Sequence, residues 1–368
     1  MQATMEFKDS SESHRRRLRD KKVIDVLAPD KRRLVEVPYT ASLADTMNAL
    51  VANRVGAVPV AAPPGHWIGA GGSMILECDK QTGAVRKHYI GIVTMLDILA
   101  HIPSEDGGGG ILSYLDPRMV VPVSSIIGHS LESLSLWTLN PNTSVGDCME
   151  VFSKGIHRAL VPLHSLKENV AGVELAESAS TYRMLTQMDL LRFLTAHDSE
   201  LKAVMSNSVA QLGGVTDPIF AVTNSATVID TIKCMKETSL YAVPIVEASD
   251  DSVEDHSQLI NGKGRKLMGT FSATDLRGCP MGQLGAWLHG NVLEFTEMLN
   301  GSSETGEGAT PREMVTCRGE SAVEEVVEKA LSKHVHRVWV VEEGGWLDGV
   351  VSLTDVIRAC RIHLLSES

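Results

Sequence analysis

One order of hydrophobic and polar positions recurs four times along the chain. Each copy begins with a short apolar strand and a turn, and continues into a segment with apolar residues at positions i, i+4 and i+7. Because that spacing places the apolar side chains on one side of a helix, it predicts a helix with one buried face. The helical triplets are Leu43, Met47 and Leu50; Val145, Met149 and Phe152; Val228, Ile232 and Met235; and Val323, Val327 and Ala330.

The second half of each copy has its own signature. After a β-branched strand and a variable polar stretch, a further strand ends in a hydroxyl residue, and an aspartate follows three positions later. The four segments read GIVTMLD, YRMLTQMD, GTFSATD and GVVSLTD, and each leads into an apolar helical segment. Every copy therefore predicts the element order β-α-β-β-α, and four such copies predict a repeat protein of mixed α/β (α+β) class.

The repeats and the loop-like joints between them divide the chain into segments. Residues 1–20 are expected to form a polar and basic tail, and linkers are expected at 104–118, which is rich in glycine, and at 282–308. The repeats themselves are predicted at the remaining ranges, which are 21–103, 119–200, 201–281 and 309–368.

The charge and the composition exclude several classes of partner. The formal net charge is −12, whereas general nucleic-acid binding needs a basic footprint, so we expect neither a nucleic acid nor an anionic membrane surface as partner. No apolar run reaches the ~18 residues of a membrane-spanning helix. The six cysteines lack zinc-ligand spacing, which predicts reduced thiols and no metal. We expect a cytoplasmic protein. The basic run at residues 14–22 is a candidate nuclear localisation signal, so a nuclear location is the alternative.

The four copies resemble CBS repeats, which pair through their sheets into units called Bateman modules. The resemblance covers the chain from about Val23 to His363. Four such repeats with little else is the arrangement of the γ subunit of AMP-activated and sucrose-non-fermenting-related protein kinases, and the long insertion in the first repeat resembles a plant γ-like subclass. The resemblance implies two Bateman modules in a disc, clefts for adenine nucleotides, and kinase catalytic and β-type scaffold subunits as partners.

The aspartate of each repeat is a candidate for holding a ribose. One carboxylate can accept both vicinal hydroxyls, and the start of the helix beside it favours phosphate. An aspartate there also caps the helix, so a purely structural role stays open. The resemblance points most strongly to Asp355, and at Asp189 many γ subunits carry a basic residue instead. The candidates are Asp97, Asp189, Asp275 and Asp355, with the hydroxyl residues Thr94, Thr186, Ser272, Ser352 and Thr354.

Two His-Arg pairs, His157-Arg158 and His336-Arg337, begin the buried strand of the second and fourth repeats. The resemblance implies that they reach nucleotide phosphates at the centre of the assembly, where arginine supplies a permanent positive charge. The alternative is that these side chains only snorkel at the interface between modules.

Three departures from the γ-subunit pattern reduce the positive charge available for phosphate. Gly56 stands where the first repeat of γ subunits often carries arginine, Ser239 stands near the corresponding position of the third repeat, and Met188 replaces a lysine of the second. Arg54, two residues before Gly56, is a possible substitute. The departures predict nucleotide binding that is weak, altered in preference or lost.

The resemblance therefore implies a non-catalytic regulatory subunit that senses adenine nucleotides (AMP, ADP or ATP) through clefts between repeats, with no other cofactor. No catalytic triad, Cys/His pair or kinase motif stands out from the repeats. The alternative is a scaffold protein whose degenerate clefts bind no nucleotide.

Overall fold

A computed structural model of the chain describes residues 18–62, 88–102, 117–128, 136–163, 182–213, 218–249, 254–277, 281–302 and 314–366. Most of the predicted N-terminal tail, most of the glycine-rich linker and residues 63–87 of the first-repeat insertion lie outside these ranges. The α-helices are α1 Val23–Val26, α2 Leu43–Ala52, α3 Met95–Leu99, α4 Val145–Phe152, α5 Gln187–Thr195, α6 Lys202–Met205, α7 Val228–Glu237, α8 Met281–Trp287, α9 Val292–Ser302, α10 Val323–Lys333 and α11 Leu353–Ser366. The strands are β1 Val37–Pro38, β2 Ala57–Ala62, β3 His88–Thr94, β4 Arg158–Pro162, β5 Tyr182–Thr186, β6 Phe220–Thr223, β7 Ala242–Val246, β8 Ile260–Asn261, β9 Leu267–Ser272, β10 Thr316–Cys317, β11 Arg337–Val341 and β12 Leu347–Ser352.

Each repeat is built around a small mixed sheet. In the first, third and fourth repeats, the opening strand runs parallel to the second strand, and the third strand is antiparallel to the second. A parallel pair needs a crossover connection, and the helix with the i, i+4, i+7 pattern supplies it. In the second repeat, the opening strand is reduced to a single parallel bridge from Thr138 to Leu160. The mixed α/β class is confirmed. The β-α-β-β-α order is also found, except that repeat 3 has the additional short strand β8 and ends in a three-residue 3₁₀ helix, Asp275–Arg277, in place of an α-helix.

In repeats 1, 2 and 3, the first helix begins after a residue whose side chain caps it, whereas Ala322 at the start of α10 in repeat 4 forms no such bond. The hydroxyls of Ser42, Ser144 and Thr227 accept the backbone N–H three residues further on. This satisfies one of the N–H groups that the helix start leaves without a partner. The cap fixes where each of these three helices begins, and therefore which face of it is buried.

Repeats pack in two ways. The sheets of repeats 1 and 2 meet at a small cluster that contains Leu160 and Tyr182, and the sheets of repeats 3 and 4 meet at one that contains Trp339 and Leu347. The larger clusters lie on the helical side and join repeat 1 to repeat 3 and repeat 2 to repeat 4. The four repeats therefore close into a ring in the order 1, 2, 4, 3, with two sheet-to-sheet and two helix-to-helix contacts.

The segments that precede the repeats are exchanged within each pair. The Val23 N–H donates to Thr143 O, so the first described segment packs on repeat 2. The segment before repeat 2 in turn packs on repeat 1, where Leu43 N–H donates to Val121 O. Repeats 3 and 4 exchange in the same way: Val209 packs on repeat 4, and α9 packs on repeat 3. The contiguous repeat boundaries predicted from the sequence therefore do not describe the packing units.

The range 282–308, which loop composition predicts to be a linker, contains α9 and most of α8. Leu284, Val292 and Phe295 are fully buried in the core shared by repeats 1 and 3. Their helical spacing was the signal for a buried segment, and the neighbouring glycine- and serine-rich run obscured it. Within the described ranges, no helix is long and apolar enough to cross a bilayer.

Candidate functional site

A cavity of about 910 Å³ lies between repeats 2, 3 and 4. Its volume falls in the range of sites that hold small-molecule ligands. Eight of the thirteen candidate residues line it: His157, Arg158, Ser272, Asp275, His336, Arg337, Ser352 and Thr354. The structure therefore brings both His-Arg pairs together with the hydroxyl and carboxylate groups of the second half of the chain. Among the described residues, no cluster of histidine, cysteine and acidic side chains is arranged to hold a metal ion.

Three aromatic side chains, one each from repeats 2, 3 and 4, come together beside the cavity. The His157 ring lies 5.7 Å from that of His336 and 4.7 Å from that of Tyr241, which it meets edge to face. In each repeat, the residue that begins the second strand pairs with the hydroxyl residue that ends the third strand. His157, Tyr241 and His336 each lie one position before that residue, and so does Gly56 in repeat 1. These four positions are therefore structurally equivalent. The fourfold sequence pattern thus converges on one central region.

The equivalence corrects one sequence assignment. Tyr241, not Ser239, occupies the third-repeat position that corresponds to Gly56. Ser239 lies two residues earlier and ends its helix in the left-handed conformation with φ 55°, as Arg54 does with φ 51°. Counting back from the strand rather than forward from the helix would have identified Tyr241.

Arg337 carries its charge into the buried wall of the cavity. Its Nη1 donates to the carbonyl oxygen of Ala242 at 3.0 Å. Burial lowers the pKa of Arg337, and the nearby carboxylate of Asp355 opposes that shift. An arginine guanidinium stays protonated in a protein even when burial lowers its pKa, so the cavity wall carries a fixed positive charge.

Asp275 provides a carboxylate on the same cavity. It accepts the backbone N–H of Ser272 at 2.6 Å, and the Ser272 hydroxyl lies 2.6 Å from that of Thr274. Thr274, which the sequence reasoning did not select, also lines the cavity. A carboxylate beside two hydroxyls is a suitable acceptor set for the hydroxyls of a sugar.

The fourth-repeat residues are divided between the cavity and its surroundings. Thr354 accepts a hydrogen bond from the amide of Gln187 at 2.9 Å, which links repeats 2 and 4 at the cavity wall. Asp355 accepts the N–H and hydroxyl of Ser352 at 3.1 and 2.5 Å, and forms a salt bridge with Arg358 at 3.1 Å. Asp355 is not among the residues that line the cavity.

Lysines of the same chain bind the carboxylates of the first two repeats. Lys236 Nζ lies 2.8 Å from Asp97, with the two side chains 14% and 3% exposed. Lys31 Nζ lies 2.6 Å from each carboxylate oxygen of Asp189. Both aspartates also accept the N–H and hydroxyl of the strand-end threonine, as a helix cap does. At these two positions an internal ammonium group lies beside the carboxylate that the sequence resemblance assigns to ribose binding.

Comparison with known proteins identifies the family. Residues 310–362, in the fourth repeat, match the CBS domain family. The SNF1-related protein kinase regulatory subunit gamma-like PV42a of Arabidopsis thaliana is 59% identical over 98% of this chain and 100% of its own. Its relative PV42b, from the same plant, is 54% identical over 95% of this chain and 97% of its own. The chain belongs to the gamma-like regulatory subunits of SNF1-related protein kinase.

The family assignment confirms the prediction of a regulatory rather than catalytic protein of plant type. Protein MJ1225 from Methanocaldococcus jannaschii, an archaeon, superposes with a TM-score of 0.59. The alignment covers 92% of this gamma-like chain and 99% of the archaeal one at 16% sequence identity. The TM-score shows that the two chains share a fold, and at 16% identity the likeness extends to the fold alone.

Proposed function

We propose that this gamma-like subunit binds one adenine nucleotide in the cavity between repeats 2, 3 and 4, as the regulatory ligand of a SNF1-related kinase complex. The observation that carries the proposal is the gathering of two arginines, two histidines and an aspartate around a single cavity of about 910 Å³. Phosphate needs the positive groups and a ribose needs the carboxylate, and one nucleotide would use both.

The residues divide into three roles. Arg158 and Arg337 provide charge for phosphate, Asp275 accepts the ribose hydroxyls, and apolar side chains such as Met268 and Leu293 line the remaining wall. The sequence resemblance favoured Asp355 for the ribose. The cavity geometry supports Asp275 instead, because Asp275 lines the cavity and Asp355 does not.

Membership of a kinase complex is the second part of the proposal. The names of the two Arabidopsis relatives, which describe them as kinase regulatory subunits, support it. Purification of the tagged chain from plant tissue should recover a kinase catalytic subunit and a β-type scaffold subunit. Recovery of the chain alone, under conditions that preserve other kinase complexes, would contradict this part. A cytoplasmic or nuclear location stays a prediction.

Thermal denaturation with adenosine, AMP, ADP and ATP tests the ligand. A ligand that binds only the folded protein stabilises it by RT ln(1 + [L]/Kd), so about 2.7 kcal/mol is expected at a hundred times Kd. Isothermal titration should give one nucleotide per chain. If no adenine nucleotide raises the melting temperature or produces heat, the scaffold alternative is favoured. That alternative already has support from the lysines bound to Asp97 and Asp189.

A further inference from the structure

Three arginines from distant parts of the chain meet at one turn of repeat 1. Arg32 Nη2 and Arg277 Nη1 donate to the same carbonyl oxygen, that of Arg54, at 3.3 and 3.2 Å. Arg158 lies beside the same turn, since a β-carbon built on Gly56 would be 3.0 Å from its Nη2. We call Arg32, Arg158 and Arg277 the arginine cluster.

Arg32 and Arg277 bring positive charge to this turn without a carboxylate partner among the described residues. Burial lowers the pKa of Arg277, and the positive charges of Arg158 and Arg32 lower it further. Within the part of the chain that the structure describes, neither Arg32 nor Arg277 forms a salt bridge, and the buried Nε of Arg277 has no hydrogen-bond partner. Like charges in a partly buried region repel, and a neutral carbonyl oxygen does not cancel that repulsion.

The arginine cluster adjoins the cavity. Arg158 belongs to both, because it lines the cavity and also faces Gly56. Arg32 and Arg277 extend the positive charge from there to the turn at Arg54. Guanidinium groups bind phosphate oxygens through paired N–H donors, and they do so most strongly where water is partly excluded.

We infer that the arginine cluster is an anion site for phosphate groups, and that it takes the distal phosphates of the nucleotide in the adjoining cavity. The second half of this inference rests on the proposed function. It assigns Arg32 and Arg277, which lie outside the cavity wall, as the residues that distinguish a nucleoside triphosphate from a monophosphate. ATP then binds more tightly than AMP, because only ATP reaches beyond Arg158.

Isothermal titration of the full chain with AMP, ATP and tripolyphosphate tests the inference. Arg32→Gln and Arg277→Gln should each weaken ATP at least tenfold and leave AMP within twofold. Arg277→Lys should retain part of the ATP affinity. The matched control is Arg265→Gln, because Arg265 forms a salt bridge with Glu254 at 2.6 Å and lies outside both the cavity lining and the arginine cluster. It should bind both nucleotides as the wild type does.

The variants are expected to fold. Removing one of several like charges should leave the melting temperature of the ligand-free chain unchanged or raise it, and this separates lost binding from lost structure. If tripolyphosphate binds the wild type and not Arg277→Gln, while no nucleotide binds, the arginine cluster is confirmed as an anion site for free polyphosphate and the proposed function fails. Equal losses for AMP and ATP, or no loss of either ATP or tripolyphosphate in the glutamine variants, would overturn the inference.

Discussion

The Arg158 side chain lies directly against the α-carbon of Gly56, where an added β-carbon would come within 3.0 Å of Nη2. The glycine that departs from the γ-subunit pattern therefore makes room for an arginine of the next repeat. The positive charge missing from repeat 1 is replaced in space by Arg158, together with Arg32 and Arg277. Counting basic residues repeat by repeat underestimates the charge at this place, since the ring brings different repeats together.

Gly56→Ala tests this contact. The added methyl group must move the end of the Arg158 side chain by a few tenths of an ångström, and this tight contact opposes the substitution. Gly319→Ala is the control, because a β-carbon there meets nothing within 4 Å. Urea denaturation should show Gly56→Ala to be less stable than Gly319→Ala, by about 1 kcal/mol at most. Equal stability of the two variants would mean that Arg158 moves away without cost.

The choice between aspartates gives a prediction about affinity. Asp275→Asn should weaken adenine nucleotides and adenosine alike by about ten- to a hundredfold, since hydrogen bonds to a charged group contribute about 1.5–3 kcal/mol. Asp189→Asn should change nucleotide affinity little, because Lys31 already occupies that carboxylate. Isothermal titration measures both. A larger loss for Asp355→Asn than for Asp275→Asn would restore the ribose assignment that the sequence resemblance favoured.

Much of the fold follows from local pattern. Burial imposes fixed periods on the apolar positions of helices and strands. The sequence therefore predicted the buried helix faces that contain Leu43 and Val145, and the strand that ends at Ser352. The exchange of the segments that precede the repeats could not be predicted from the sequence. Val23 packs on repeat 2 although it precedes repeat 1 in the chain, and local periodicity carries no information about which of two similar partners a segment chooses.

The sequence predicted which residues are candidates for the site, but not which of them share one cavity. The sequence identified four equivalent aspartates, yet their surroundings differ because of residues far away in the chain. Asp97 is bound by Lys236, which is 139 positions distant. Asp275 lines the cavity that Arg337 also lines. Spacing within a repeat determines the helix cap, and only the packing of repeats determines which carboxylate faces a lysine and which faces a cavity.

The salt bridge between Lys236 and Asp97 should be important for stability. Removing one partner of a buried ion pair leaves the other charge buried without compensation, which costs about 3 kcal/mol or more. Lys236→Met should lower the free energy of unfolding by that amount, as measured by urea denaturation. The control is Lys154→Met, because Lys154 pairs with Glu150 in an exposed i, i+4 contact, where salt bridges contribute little. Similar effects of the two substitutions would show that Asp97 gains compensation from water.

Trp339 offers a direct optical test of where the ligand binds. Its indole N–H donates to Thr270 at 2.7 Å across the interface of repeats 3 and 4, its side chain is 3% exposed, and both residues line the cavity. A nucleotide in the cavity should therefore change the tryptophan fluorescence of the wild type. Trp339→Phe should abolish most of that change, although the chain has four other tryptophans.

Trp346 is the matched control for this fluorescence experiment. It lies on the turn between β11 and β12, is 46% exposed, and is not part of the cavity lining. Trp346→Phe should keep the nucleotide-dependent change, with the same apparent Kd as the wild type. Trp339→Phe should still bind the nucleotide by titration, within a few fold, because the indole contributes packing rather than charge. If the fluorescence change disappears in Trp346→Phe and persists in Trp339→Phe, the nucleotide binds on the outer surface near β11 and β12 and not between repeats 2, 3 and 4.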